Sequence, residues 1–237
     1  MQVHRSPSPE SILRRFWSTD QSLAVLLALL GMVLFIILPL GDLGVVGRTA
    51  LRVGFSLFLL SGVGAVAKSR AWTVLVGGLV VANLTLHWLS FWRGGADLAM
   101  WDAALTLVFC SVLAAVVLVQ VFREGPITAQ RIQGAVAVYL LLGLAWAFAY
   151  SLIAMLRPDA FVFSAAPASA PGAEHTWRFV YFSFVTLTTV GFGDIAAAHP
   201  VARSLVLAEA LIGQLYPTIL LARLVSMELF YRQGRNV

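Results

Sequence analysis

Six apolar runs, each about 20 residues and so long enough to cross a hydrocarbon core, make up most of this 237-residue chain: roughly 22–40, 49–67, 71–91, 98–121, 132–156 and 201–230. In a bilayer each unpaired N–H or C=O costs several kcal/mol, which forbids lipid-exposed irregular backbone. Composition agrees with a lipid environment: 60% of residues are hydrophobic and 11% charged, against about a quarter charged in soluble domains. The expectation is an all-α membrane protein with six transmembrane helices.

The net charge of +5 does not indicate a nucleic-acid partner. The basic residues sit in short loops between apolar runs, which fits membrane topology and lipid partners better than a phosphate-binding face. The N-terminal stretch MQVHRSPSPESILRRFW precedes an apolar run from Leu23 to Leu40. That run exceeds the h-region of about 7–15 residues found in signal peptides, and no A-x-A site follows it, so it reads as an uncleaved first span. With the N-terminus inside, Arg5, Arg14, Arg15, Lys68, Arg70, Arg123, Arg131, Arg223, Arg232 and Arg235 are cytoplasmic. Arg48, Arg52, Arg93, Arg157, Arg178 and Arg203 fall outside, partly balanced by Asp42, Asp97, Asp159 and Glu174. The bias places both termini in the cytoplasm. Trp17 and Trp72 then mark the inner boundary, and Trp92, Trp101 and Trp177 the outer one. The predominance of Arg among the basic residues hints at a GC-rich bacterial genome, and the expected location is a bacterial inner membrane.

Four units follow: a cytoplasmic segment 1–21, a four-helix domain 22–122, a linker 123–131 broken by Gly125 and Pro126, and a final domain 132–237. The stretch 157–175 is rich in Ala, Pro and Ser and reads as an exposed outer loop. The lone cysteine, Cys110, permits no intrachain disulfide and reads as a small buried hydrophobe.

One stretch breaks the apolar pattern. Residues 186–194, TLTTVGFGD, lie between the fifth and sixth runs, where irregular backbone has to line something wet or bind something that replaces water. A cation shedding its hydration shell is such a ligand, and backbone carbonyls replace that shell. Aiming successive carbonyls at one axis requires dihedrals open mainly to glycine, which Gly191 and Gly193 supply. Thr189 adds a hydroxyl at the inner end, while Val190 and Phe192 point away and pack behind the strand. Residues 177–187 fit a short re-entrant helix capped near Thr176, its negative C-terminal dipole favouring a cation. One motif supplies a quarter of a ring, so the assembly is expected to be a homotetramer.

TTVGFGD resembles the signature of the potassium channel family of tetrameric pore-loop channels, and the resemblance covers residues 130–231. It implies an outer helix, pore helix, selectivity filter and inner helix. It also implies K+ as the bound ion, held by the carbonyls of Thr189, Val190, Gly191 and Phe192 with the Thr189 hydroxyl. Gly193 and Asp194 would support the filter, Asp194 bracing it against a pore-helix aromatic such as Tyr181. Val185 stands where some bacterial members carry a glutamate, so carboxyl-pair bracing is absent. Rival readings are a glycine turn in an unrelated transporter and a potassium-uptake transporter, although the latter carries four degenerate copies on one chain.

The sixth run is about 30 residues, roughly 45 Å of helix. By resemblance Gly213 is the gating hinge, the alternative being a small residue for close helix packing. Pro217 cannot donate to Gly213, so the two mark one weakened turn. Gln214, Leu221 and Val225, with Pro217, fall near one face as candidate cavity lining, and Leu221 or Val225 would form a hydrophobic constriction. For Glu209, inside the span, a hydrogen bond to the pore-helix region is favoured over a proton relay. Arg223 reads as snorkelling to lipid phosphate.

Six spans with this filter resemble prokaryotic voltage-gated channels, but residues 98–121 hold no basic residue, so strong voltage dependence has no source. Asn83 and His87, one turn apart, are expected to bond Asp102 or Arg52 as a satisfied core, a proton-sensing His87 being the alternative. No nucleotide-binding or calcium-binding domain is expected within these residues. The expectation is a K+-selective, voltage-independent channel and not an enzyme. The alternatives are a K+ transport subunit needing a regulatory partner and a non-conducting membrane sensor.

Overall fold

The computed structural model describes residues 19–37, 44–66, 70–123, 128–164 and 174–233. The expectations for Arg5, Arg14, Arg15, Trp17, Asp42, Lys68, the Gly125–Pro126 break, the outer loop over 165–173 and Arg235 lie outside the described residues. The chain order is α1 (Thr19–Met32, continuing as a π-helical turn Val33–Ile37), α2 (Gly44–Ala65), α3 (Arg70–Arg93), α4 (Ala96–Val121), α5 (Ala129–Leu156), β1 (Phe161–Phe163), α6 (Glu174–Leu187), β2 (Ile195–Ala197) and α7 (Pro200–Gln233).

Among the described residues, four helices, α3, α4, α5 and α7, are long and apolar enough to cross a membrane. The apolar stretches of α1 and α2 among those residues, Ser22–Ile36 and Thr49–Ala65, are no longer than 17 residues. That is about 25 Å of helix, short of a hydrocarbon core of about 30 Å. The chain is thus a largely helical, multi-pass membrane protein. At 34 residues, α7 reaches about 51 Å.

The first four helices pack on the chain's own α5 and do not stand apart from it. Helix α4 lies along α5, α1 touches both α2 and α5, and α3 joins α2 to α4. Phe55 is the aromatic hub: its ring meets Phe58, His87, Phe148 and Trp177 at 5.4–6.1 Å. One side chain of α2 thereby reaches α3, α5 and α6. Phe58, fully buried, adds an edge-on contact with Phe109 of α4 at 5.8 Å.

Between α3 and α4 runs a short polar ladder. His87 Nδ1 lies 3.1 Å from Asp102 Oδ2, and Arg52 donates to the His87 carbonyl at 3.2 Å. Asn83, expected to reach Asp102 or Arg52, instead accepts from Thr106 Oγ1 at 3.2 Å. Positions 83 and 87 lie one turn apart on α3, and 102 and 106 one turn apart on the antiparallel α4. Each residue therefore meets the partner opposite it.

The outer loop departs from its expected exposed character. Phe161–Phe163 pairs antiparallel with Ile195–Ala197, in register Phe161 with Ala197 and Phe163 with Ile195. Strand side chains alternate faces. Val162 is therefore exposed, while Phe161 is buried against Phe179, Tyr150 and Phe182 at 4.8–5.7 Å. The alternation in FVF outweighs the Ala, Pro and Ser composition around it.

Phe58→Ala is expected to lower the unfolding free energy of the purified protein in detergent by about 3 kcal/mol. That is the low end for a buried aromatic, because membrane helix association rests on packing and not on transfer from water. Val119→Ala, at a 68% exposed position, should change it by less than about 0.5 kcal/mol. Thermal melts of both variants against the parent check the pair.

Candidate functional site

The stretch 186–194 begins where α6 ends, and a helix end leaves its last carbonyls without intrahelical partners. Here each one is used. The Phe184 carbonyl accepts from Thr188 N–H at 3.0 Å and Thr188 Oγ1 at 2.6 Å. The Val185 carbonyl accepts from Val190 N–H at 2.9 Å and Gly191 N–H at 3.4 Å, and the Thr186 carbonyl from Thr189 N–H at 2.9 Å. The Leu187 carbonyl accepts from the Tyr139 hydroxyl at 3.2 Å. The chain doubles back on its own helix, and the N–H groups at 188–191 face that helix.

The backbone conformation decides where the carbonyls go. Thr189, Gly191 and Gly193 have φ of 60°, 59° and 79°, whereas Val190 and Phe192 between them do not have positive φ. Alternating left- and right-handed residues turn successive peptide planes the same way, so N–H groups gather on one side and carbonyls on the other. The N–H groups at 188–191 are occupied by α6, and residues 188–194 are all exposed. The two glycines were identifiable from sequence as residues that tolerate this region. Thr189 was not: a β-branched residue there is a strained outlier, worth about 1–3 kcal/mol, held by its N–H bond to Thr186.

The outer end of the strand is held twice. The Asp194 carbonyl accepts from both Ser164 N–H (2.9 Å) and Ser164 Oγ (2.7 Å), and its carboxylate lies near the Tyr181 hydroxyl of α6. Sequence reading did not single out Ser164, because its role follows from the β1–β2 pairing. The structure thus brings together Thr189, Val190, Gly191, Phe192, Gly193, Asp194 and Tyr181. Within the single chain Val190 and Phe192 are 54% and 69% exposed. The pore helix starts at Glu174, so Thr176 lies inside it and not at its cap.

On α7, Glu209 is fully buried and bonds Ser183 of α6 and Tyr150 of α5. One turn on, a Cβ built at Gly213 would lie 2.0 Å from the Leu187 carbonyl oxygen. Space, and not only flexibility, requires glycine there. Gly191 is the reverse case, with nothing within 4 Å of a built Cβ but a positive φ. The helix runs unbroken through Pro217. Gln214, Leu221 and Val225 are exposed, Pro217 partly so, and Arg223 is exposed.

Residues 138–228, from within α5 to near the end of α7, match a family model described as an ion channel. No curated protein and no solved structure matches the chain. The matched stretch contains two membrane-length helices and, between them, the re-entrant helix and strand. The match supports an ion channel of the pore-loop type and, with it, passive ion conduction.

Gly213→Ala should force the Leu187 carbonyl aside and destabilise the purified protein by about 1–3 kcal/mol. Gly77→Ala, with nothing within 4 Å of the new methyl, should be neutral or stabilising by up to about 1 kcal/mol. Paired thermal unfolding in detergent separates crowding from the general effect of replacing a helical glycine.

Proposed function

We propose that this chain is the subunit of a homotetrameric, potassium-selective channel of the cell membrane, with both termini cytoplasmic. The observation that carries the proposal is the alternation of positive and non-positive φ over 189–193, with the N–H groups of 189–191 bonded to the pore helix, a backbone that turns successive carbonyls to the opposite side. Four such strands around an axis would form stacked rings from the carbonyls of Thr189, Val190, Gly191 and Phe192. The Thr189 hydroxyl would add the innermost ring. Such rings replace the water a cation sheds, and the negative end of α6 beneath them favours positive charge.

A ring needs other copies, and the exposed surface supports their presence. Only 11% of the apolar window of α7 is buried within one chain, against 56% for α5. Contiguous exposed apolar surface of this kind marks an interface with protein or lipid, and Val190 and Phe192 lie on the same open side. In the tetramer, neighbouring copies cover both. Gly193, Asp194 and Tyr181 then fix the filter's outer half.

Gly213 and Pro217 act as the gating hinge in this reading, and Gln214, Leu221 and Val225 line the cavity below. The contact of Gly213 with Leu187 names the neighbour that has to move when the helix bends. Helix α4 supplies no basic gating charge, since it contains no Lys or Arg.

In liposomes holding the purified protein under opposed K+ and Na+ gradients, the reversal potential should lie near the K+ equilibrium potential. Gly191→Asp, which places a side chain where φ is 59°, should abolish the K+ current. A reversal potential near zero with current present would sink the selectivity reading. In planar bilayers, open probability should vary by less than about tenfold across 100 mV. Even one charge crossing the full field would supply about 2.3 kcal/mol, more than the 1.4 kcal/mol that makes a tenfold change. A steep voltage dependence would assign gating charge to residues outside α4.

A further inference from the structure

Glu209 is a carboxyl group with no exposed surface in the middle of a membrane helix, and among the described residues no cation pairs with it. An uncompensated carboxylate there is costly, so its hydrogen atoms deserve counting. Three oxygen–oxygen contacts run in series through the site. Tyr150 Oη lies 2.5 Å from Glu209 Oε2, Ser183 Oγ lies 2.5 Å from Glu209 Oε1, and Ser183 Oγ lies 2.7 Å from the Gly143 carbonyl oxygen. Each contact needs one proton. The Tyr150 and Ser183 hydroxyls carry one each, and the Gly143 carbonyl carries none. The third proton has to be on Glu209. In the arrangement that satisfies all three, Tyr150 donates to Oε2, Glu209 donates from Oε1 to Ser183, and Ser183 donates to Gly143.

The series joins the three helices of the pore unit: α5 through Tyr150 and Gly143, α6 through Ser183, and α7 through Glu209. Gly143 permits it, since a Cβ there would lie 2.6 Å from the Phe184 ring, and any larger residue would push α6 away. Glu209 and Gly213 are one turn apart on α7 and face Ser183 and Leu187, one turn apart on α6. Two residues beyond Ser183 is Val185, whose carbonyl holds the N–H groups of Val190 and Gly191. Movement of α7 relative to α6 breaks the Glu209–Ser183 bond before it reaches the strand.

We propose that Glu209 is a neutral carboxylic acid that acts as a positioning residue, fixing the pore helix, and through Val185 the filter strand, to the inner helix. The positioning of conduction rests on the potassium-channel reading above, but the proton and the fixing of the pore helix do not.

The experiment uses the full chain in lipid and three variants. Glutamine reproduces a neutral acid, with an amide N–H for Ser183 and a carbonyl for Tyr150, whereas Glu209→Ala and Ser183→Ala break the series. Infrared difference spectra at neutral pH should show a protonated-carboxyl C=O band in the wild type that is missing in Glu209→Gln. Amide exchange of 186–194 should be unchanged in Glu209→Gln and faster by about tenfold or more in both alanine variants, the change expected when a buried hydrogen bond is lost. The K+ over Na+ permeability ratio should follow the same order, retained in glutamine and reduced in alanine. Absence of the C=O band, or a glutamine variant as impaired in exchange as the alanine ones, overturns the proposal. If Glu209→Ala fails to assemble, Ser183→Ala carries the test. The proposal also falls if Ser183→Ala leaves exchange unchanged. Wild-type protein with the band and the protection but no K+ selectivity would refute the potassium-channel reading and leave this one standing.

Discussion

The carbonyls at the end of α6 are the constraint on which the rest of the pore unit depends. A helix that stops inside a membrane leaves four oxygens that neither lipid nor water can satisfy. The chain meets the requirement by folding back, so that Thr188, Thr189, Val190 and Gly191 bring their N–H groups to those oxygens, while Tyr139 takes the last. Successive N–H groups gather on one side when left- and right-handed residues alternate, and the positive φ at Thr189, Gly191 and Gly193 fits such an alternation. The strained Thr189 and the two glycines thus answer one hydrogen-bonding requirement.

The helices around this turn hold its position. Helix α5 contributes the Tyr139 hydroxyl and, one turn on, the Gly143 carbonyl, and α7 touches α6 at Ser183 and Leu187. Small residues appear where backbones approach, as expected when close packing replaces the hydrophobic effect as the adhesive between membrane helices. The aromatic hub at Phe55 extends the same rigidity into the first four helices through Trp177. Those four helices therefore bear on the pore helix of their own chain.

Much of this was legible in the order of residues. Among the described residues α3, α4, α5 and α7 are apolar runs of membrane length, because length and hydropathy decide whether a segment can be a membrane helix, whereas the described apolar stretches of α1 and α2 are shorter. The break at 186–194 stood out because its glycines and threonines are costly there without a purpose. Other features were not legible, for physical reasons that differ. Thr189 gives no sign of a left-handed conformation, since nothing local favours it and the neighbouring helix imposes it. Gly213 suggested a bend, whereas the nearby carbonyl that forbids a side chain comes from a residue 26 positions earlier. The β1–β2 pairing was masked by the loop-like composition around Phe161–Phe163. Val190 and Phe192, expected to point away from the axis and pack behind the strand, are exposed in the single chain.

The short β-ribbon has a mechanical consequence. Its two strands, with Ser164 holding the Asp194 carbonyl, tie the chain leaving α5 to the far end of the strand that follows α6. That strand is already bound to α6 through the N–H groups at 188–191. It is therefore clamped at both ends, and a change near Ser164 that breaks either bond frees only its far end.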